Sequence, residues 1–264
     1  MTLLSEQLTG RLAGRRVIVV GGSTGIGRGI ADAWAGAGAE VVVCSRRRPS
    51  DAPHLHWERI DLTEPDHARE RLAELGAGQV DAACFSSVHY GTKRAAFGEV
   101  PEEEWQAQLD VNVTGLWRTL HALMPSLRKA RPGLFLGVSS EVAFNAGPGR
   151  SGYAASKAAA KALLDSVAQE IAQEKDQEKD REDEVRIVQV LPAGMVDTPG
   201  IRRRRPEGFD YSSYMKPSSF GRLAVELAAT AGDGHHGDSL VVDGDGTWRS
   251  AYEAAPVSQS RTPA

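Results

Sequence analysis

Tyr153 and Lys157 stand at i and i+4 at the start of a segment of helical period, so their side chains leave the helix on one face. A phenol and an ammonium in that register suit proton transfer. A free tyrosine has a pKa of about 10, and bringing it to about 7 requires roughly 4 kcal/mol of differential stabilisation. A partly buried cation, helped by the charge of a bound cofactor, can supply that. Alone, the pair is a spacing that chance produces readily, so its neighbours matter. Ser140 ends the strand-like run Val138-Ser139-Ser140, where a hydroxyl opens into the crevice in which α/β sheets bind ligands. Asn112, inside Asp110–Gly115, is a poor helix former within a helical segment, and its side chain could hold a water.

A second cluster lies near the N-terminus. Gly21-Gly22-Ser23-Thr24-Gly25-Ile26-Gly27 follows an apolar run and leads directly into a helical segment. Glycines let a backbone approach a pyrophosphate, and the helix N-terminus behind them offers unpaired N–H groups. Gly21, Ser23, Thr24, Gly25, Ile26 and Gly27 are therefore expected to hold a dinucleotide. The next strand ends in Ser45-Arg46-Arg47. An acidic residue there would favour NAD, whereas arginine accommodates the 2′-phosphate of NADP. The expected cofactor is NADP(H), with Asp61 and Leu62 near its adenine.

These residues need a scaffold. Apolar runs rich in valine begin near residues 16, 40, 80, 134, 185 and 240, with a weaker one at 55–60. Helical periods fall near 26–37, 64–75, 102–130, 151–173 and 217–231. Strands that apolar are covered on both faces, and the alternation predicts a doubly wound parallel sheet of seven strands in one α/β domain over 1–246, followed by a tail over 247–264. The charged stretch 172–184 has no apolar face and reads as a solvated helix extension plus loop. The tail is expected to end in disorder.

Composition narrows the function classes. The chain has 264 residues, 41% hydrophobic and 25% charged, with a net charge of −4. That charge provides no overall attraction to nucleic acid or anionic lipid, and neither is an expected partner. No run reaches the roughly 20 apolar residues of a membrane span and no signal peptide is visible, so a cytoplasmic location is expected. Cys44 and Cys84 lie in apolar runs and read as core residues. His235 and His236 lack ligand partners at zinc-like spacing, so no metal is expected.

In order and spacing, the sequence resembles the classical short-chain dehydrogenase/reductase family. The matching residues are the glycine loop, Asn112, Ser140, Tyr153 with Lys157, Gly194 with Val196 and Thr198, and Val242-Asp243-Gly244, spread over about residues 10–245. The resemblance implies a Rossmann fold in an NADP-dependent oxidoreductase. Tyr153 would be the general acid/base, Ser140 would hydrogen-bond the substrate oxygen, and Lys157 would bind the nicotinamide ribose and lower the tyrosine pKa. Asn112 would hold a relay water, and Val196 and Thr198 would meet the carboxamide. It also implies homodimers or homotetramers. Three departures stand out: Phe85-Ser86-Ser87-Val88 replaces Asn-Asn-Ala-Gly, Val20 replaces Thr, and Pro192-Ala193-Gly194 replaces Asn-Pro-Gly. Ser87 is still expected to touch the cofactor.

Expected substrate-lining residues are His89, Tyr90, Glu141, Val142, Phe144, Asn145, Met195, Tyr211 and Tyr214. Residues 199–217 read as a lid whose arginines, Arg202 to Arg205, could meet an anionic or carrier-bound substrate but read first as a solvated loop. The leading expectation is reduction of a cyclic or aromatic ketone, of a kind found in secondary metabolism. A second is reduction of an imine or activated C=C bond or a coupled rearrangement. A third is a non-catalytic dinucleotide-binding protein.

Overall fold

The computed structural model describes residues 8–177 and 184–253. Strand β1 (Arg16–Val20) alternates its valines and isoleucine between two separate cores. Val17 and Val19 face one, Ile18 and Val20 the other, and all are at most 2% exposed. The same alternation continues through β2 (Glu40–Ser45), β4 (Ala82–Phe85) and β5 (Gly133–Val138). This is why their sequences read as unbroken apolar runs rather than as alternating patterns.

The sheet order is β3-β2-β1-β4-β5-β6-β7-β8, with β3 at His56–Arg59, β6 at Val185–Pro192, β7 at Ser239–Val242 and β8 at Trp248–Ser250. All neighbours are parallel except β7 and β8. Helices α1 (Gly25–Gly36) and α7 (Gly221–Thr230) cover one face, and α2 (Pro65–Leu75), α4 (Gly115–Arg128) and α5 (Ser151–Gln177) the other. Trp34, fully buried, ties α1 to α7 by donating its indole N–H to the Ala224 carbonyl at 2.8 Å. The strand order reverses direction between β1 and β4, and a cleft opens there at the strands' C-terminal ends.

The sheet has eight strands, not the seven expected. Asp243 donates its N–H to no strand but closes a turn onto Thr247 O, and Asp245 accepts from both Thr247 N and its hydroxyl. That turn folds Trp248–Ser250 back as an antiparallel edge strand, inside the segment expected to be tail. Residues 178–183 of the charged stretch and the end of the tail lie outside the described residues. Among the described residues, no helix is long and apolar enough to cross a membrane. Cys44 and Cys84 are buried free thiols, and burial pushes the Cys44 thiol up to about 12. His235 pairs with Asp238, and His236 bridges α5 and β6 through Ala168 O and Ile187 N.

Candidate functional site

The cleft has a volume of about 1750 Å³. That exceeds the ~300–1,000 Å³ usual for a single small ligand, so it can take a dinucleotide and a substrate together. Its first wall is the glycine loop. At Gly21 φ is +89°, and a Cβ would lie 2.4 Å from the Ser87 nitrogen. At Gly27 a Cβ would lie 2.4 Å from the Gly21 carbonyl oxygen. Any side chain at either place forces the loop apart. Behind the loop, α1 starts at Thr24 without a side-chain cap and with no acidic residue in its first turn. Its leading N–H groups are thus left for an anion, as a pyrophosphate cradle requires.

Ser23, Thr24, Gly25, Ile26, Arg46, Arg47, Asp61, Leu62, Ser87, Gly194, Val196 and Thr198 all line this cleft. Some carry local duties as well. Ser45 donates its hydroxyl to Arg47 O and accepts from the Trp57 indole, so it shapes the Arg46-Arg47 turn. Asp61 accepts from Thr63 N and Oγ1, which turns the chain after β3. Thr198 caps the short helix α6 (Pro199–Arg202) by accepting from Ile201 N at 3.2 Å.

At the other end, α5 brings Tyr153 and Lys157 against the end of β5. The Ser140 hydroxyl stands close enough to the Tyr153 phenol to pull its pKa down. Lys157 is only 5% exposed and donates Nζ–H to Val138 O at 2.9 Å. Burial pulls its ammonium down from 10.5 to about 8. Lys157 was expected to lower the tyrosine pKa, but here the phenol is pushed above its ordinary range. Burial is the main cause and Tyr90 adds to it, while Ser140, Arg204 and Arg150 pull the other way. The ring of Tyr90 packs on that of Tyr153 with centroids 5.1 Å apart.

Asn112 is bonded into the fold. Its side chain is engaged by protein: Nδ2 donates to His89 O and Ser156 Oγ at 2.9 Å each, and Oδ1 accepts from His89 N at 2.7 Å. Both of its N–H groups are thus spent within the protein, and one lone pair of Oδ1 is left over. It sits in a π-turn, Asp110–Thr114, between α3 (Glu102–Leu109) and α4. Such turns interrupt the regular helical ladder and are often found at functional sites. Asn112 braces the strand-end segment in which Phe85-Ser86-Ser87-Val88 replaces the family's amides. Removing it orphans the half-buried His89 backbone groups and takes a donor from the buried Ser156 hydroxyl, so Asn112→Ala is expected to lower stability by about 2 kcal/mol. Thermal unfolding of the two proteins reads this directly, and an unchanged midpoint contradicts it.

Of the expected substrate residues, His89, Tyr90, Glu141, Val142 and Met195 line the cleft. The others do not. Phe144 is exposed and packs edge-on against Tyr252, with Lys161 over its ring, and Asn145 is exposed beside it. Tyr211 and Tyr214 form a separate aromatic cluster with Phe209, because Arg202 stacks on Tyr211 and Arg205 donates to the Tyr214 hydroxyl at 3.0 Å.

The lid arginines are not simply solvated. Arg204 lies over the Tyr90 ring, 4.7 Å from its centroid, and donates to Gly91 O. Asp197 accepts from Arg202 at 2.6 and 2.8 Å and from Lys216 at 3.3 Å, clasping both ends of the segment. Arg202, then Lys216, hold the Asp197 carboxyl down from 3.8 to about 2. The clasp is complete above the ordinary carboxylate value and is lost as pH falls toward 2. Amide hydrogen exchange across 197–216 should accelerate over that acidic window, and in Asp197→Asn already at neutral pH. Equal protection in the variant contradicts the clasp. Arg150 and Arg204 were missed as site residues. A signal existed for Arg150, which precedes Tyr153 by one helical turn; for Arg204 the only signal was its place in the lid's arginine run, and which arginine enters the cleft depends on how the lid folds.

Residues 15–207 match the family model described as short chain dehydrogenase. An uncharacterized oxidoreductase of Myxococcus xanthus is 33% identical over 156 residues, 54% of this chain and 61% of that protein. A 3-oxoacyl-[acyl-carrier-protein] reductase of Chlamydia muridarum is 28% identical over 160 residues, 56% of this chain and 64% of that protein. The matched stretch thus spans less than two thirds of these relatives' lengths. The Pseudomonas aeruginosa RhlG/NADP active-site complex is 25% identical with a TM-score of 0.75, covering 90% of this chain and 98% of that one. With the family model covering most of the doubly wound sheet, from the glycine loop through the Ser140, Tyr153 and Lys157 cluster, the chain belongs to the short-chain dehydrogenase family.

Proposed function

We propose that the protein is an NADP(H)-dependent reductase of ketones, with Tyr153 as the general acid. The observation that carries this reading is the Ser140–Tyr153 hydroxyl pair, with buried Lys157 beside it, at the end of the cleft that begins at the glycine cradle. Bound there, the nicotinamide supplies the hydride. Ser140 and Tyr153 both address the carbonyl oxygen: Ser140 positions it and Tyr153 delivers a proton from its phenol as the alkoxide forms. Lys157, anchored on Val138 O, keeps further N–H groups for the nicotinamide ribose. The cleft and its local chemistry equally suit an imine, whose nitrogen would take the place of the carbonyl oxygen. With its pKa raised by burial, Tyr153 carries the proton at neutral pH that the reduction consumes. We also assign the chain to the cytoplasm and to a homodimeric or homotetrameric state, on the family's habit.

For the cofactor, Arg46 and Arg47 are exposed beside the adenosine end of the cleft, while the nearby Asp51 carboxylate is paired with Arg28 at 2.8 Å. Reversing their charge, Arg46→Glu with Arg47→Glu, should weaken NADPH binding by roughly 10–100-fold and NADH binding little, given ~1.5–3 kcal/mol for hydrogen bonds to a charged group. Fluorescence titration of both cofactors reads this. NADH binding equal to or tighter than NADPH in the natural protein contradicts the NADP assignment.

A further inference from the structure

The cleft carries a charge that the proposed cofactor does not use up. Eleven Lys and Arg line it against five Asp and Glu, in a chain whose net charge is −4. The arginines at the adenosine end fall to the 2′-phosphate; those at the substrate end, some distance along the cleft, do not. There Arg204 comes from the lid and Arg150 from the residue just before α5, and both act electrostatically on the Tyr153 phenol. Lys93, Arg94 and Arg203 stand around them on the same lining.

The cleft's carboxylates compensate this charge only in part, five of them against eleven cations. Glu104 is engaged by the His89 ring at 2.7 Å. Glu141 is 64% exposed and stands 3.9 Å from Arg150, too far for a hydrogen bond. Arg150 consequently keeps a buried Nε–H with no acceptor. A buried guanidinium donor without a partner is uncommon in a native fold and calls for an explanation. Arg204 spends one N–H on Gly91 O and is held flat by Tyr90, which leaves the rest of its donor fork available.

We propose that Arg204 and Arg150 form an anion-binding subsite beside Tyr153, and that the substrate is an oxo compound carrying a carboxylate or another anionic group. Arg204 and Arg150 receive the anion while Ser140 and Tyr153 receive the carbonyl oxygen. The lid is then part of specificity: the Arg204 fork reaches the subsite only when 199–216 is folded over the cleft. This rests on the reading of the cleft as a reductase site, and the two fail separately in the experiment below.

The test uses the full chain with NADPH and two matched pairs, para-acetylbenzoate with para-acetylbenzamide and levulinate with levulinamide. Each pair differs only in charge. The natural protein should prefer the acid over the amide in kcat/KM by roughly 10-fold or more, mainly through KM, as expected for a charge-assisted contact. Arg204→Gln and Arg150→Gln should each bring that ratio toward one, and Arg204→Lys should retain part of it. Taking the ratio cancels any general effect on the fold or on Tyr153. In parallel, thermal unfolding with each acid and amide reads binding without turnover: the acids should stabilise the natural protein more than the amides, and the Gln variants should lose the difference. No preference for either acid in both assays overturns the subsite, as does a preference that survives both Gln variants. If the acids bind selectively but neither pair is reduced, the subsite stands and the reductase reading falls.

Discussion

Replacing Lys157 by methionine should abolish turnover and yet make the protein more stable at pH 7. The lysine is 5% exposed, and burial holds its ammonium near 8 rather than 10.5. Keeping it charged in the fold at neutral pH costs about 3 kcal/mol, from the usual 1.36 kcal/mol for each pH unit. Methionine removes that cost but leaves Val138 O without its donor, which returns about 1–2 kcal/mol. A net gain of about 1–2 kcal/mol raises the unfolding midpoint by roughly 2–8 °C for a domain of this size. The sign with pH follows. Below about 8 both folded and unfolded lysine are charged, and the full penalty is present. Between about 8 and 10.5 the unfolded chain binds the extra proton, so the natural protein gains on the variant as pH rises. Thermal unfolding of both proteins at several pH values reads this, and a variant that is less stable at pH 7 contradicts it. A destabilising functional lysine would be a trade of stability for chemistry.

The second large effect is at Tyr153. Tyr153→Phe keeps the ring against Tyr90 and removes only the hydroxyl that faces Ser140. Turnover should fall by about 10²–10⁴-fold, the usual contribution of a positioned acid, while NADPH affinity stays within about 2-fold. Burial keeps the natural phenol protonated throughout the neutral range. Reduction should therefore be nearly flat in pH there, whereas oxidation of the product alcohol, which needs the phenolate, should rise toward alkaline pH. Steady-state rates in both directions check this; a reduction rate that falls steeply between pH 6 and 8 contradicts it.

Much of this was legible in the sequence because it is local. The glycine loop, the strand-end serine and the Tyr153–Lys157 register are each fixed by a few adjacent residues and the element they begin or end. The parallel strands announced themselves by apolar runs buried on both faces. What the sequence did not show is set by distant contacts. Trp248–Ser250 looked like tail because a three-residue edge strand has almost no pattern of its own and depends on β7. The engagement of the Asn112 amide depends on His89 and Ser156, which only the fold brings near it. Tyr211 and Tyr214 read as substrate contacts because aromatic residues in a lid have two uses, and here they hold the lid's own arginines. Arg204 was the reverse case, a residue in a run of charge that reaches the centre of the cleft.

Several of these points meet in the transfer of hydrogen to a carbonyl carbon. The most direct measurement supplies NADPH deuterated at its transferable position, together with a panel of ketones, keto acids, imines and enones, and locates the label in the product by mass spectrometry and NMR. The account predicts one deuterium on the carbinol carbon of a ketone product, formed by the natural protein and not by Tyr153→Phe. Label delivered only to a C=C or C=N carbon, or a product formed equally well without the Tyr153 hydroxyl, would contradict it.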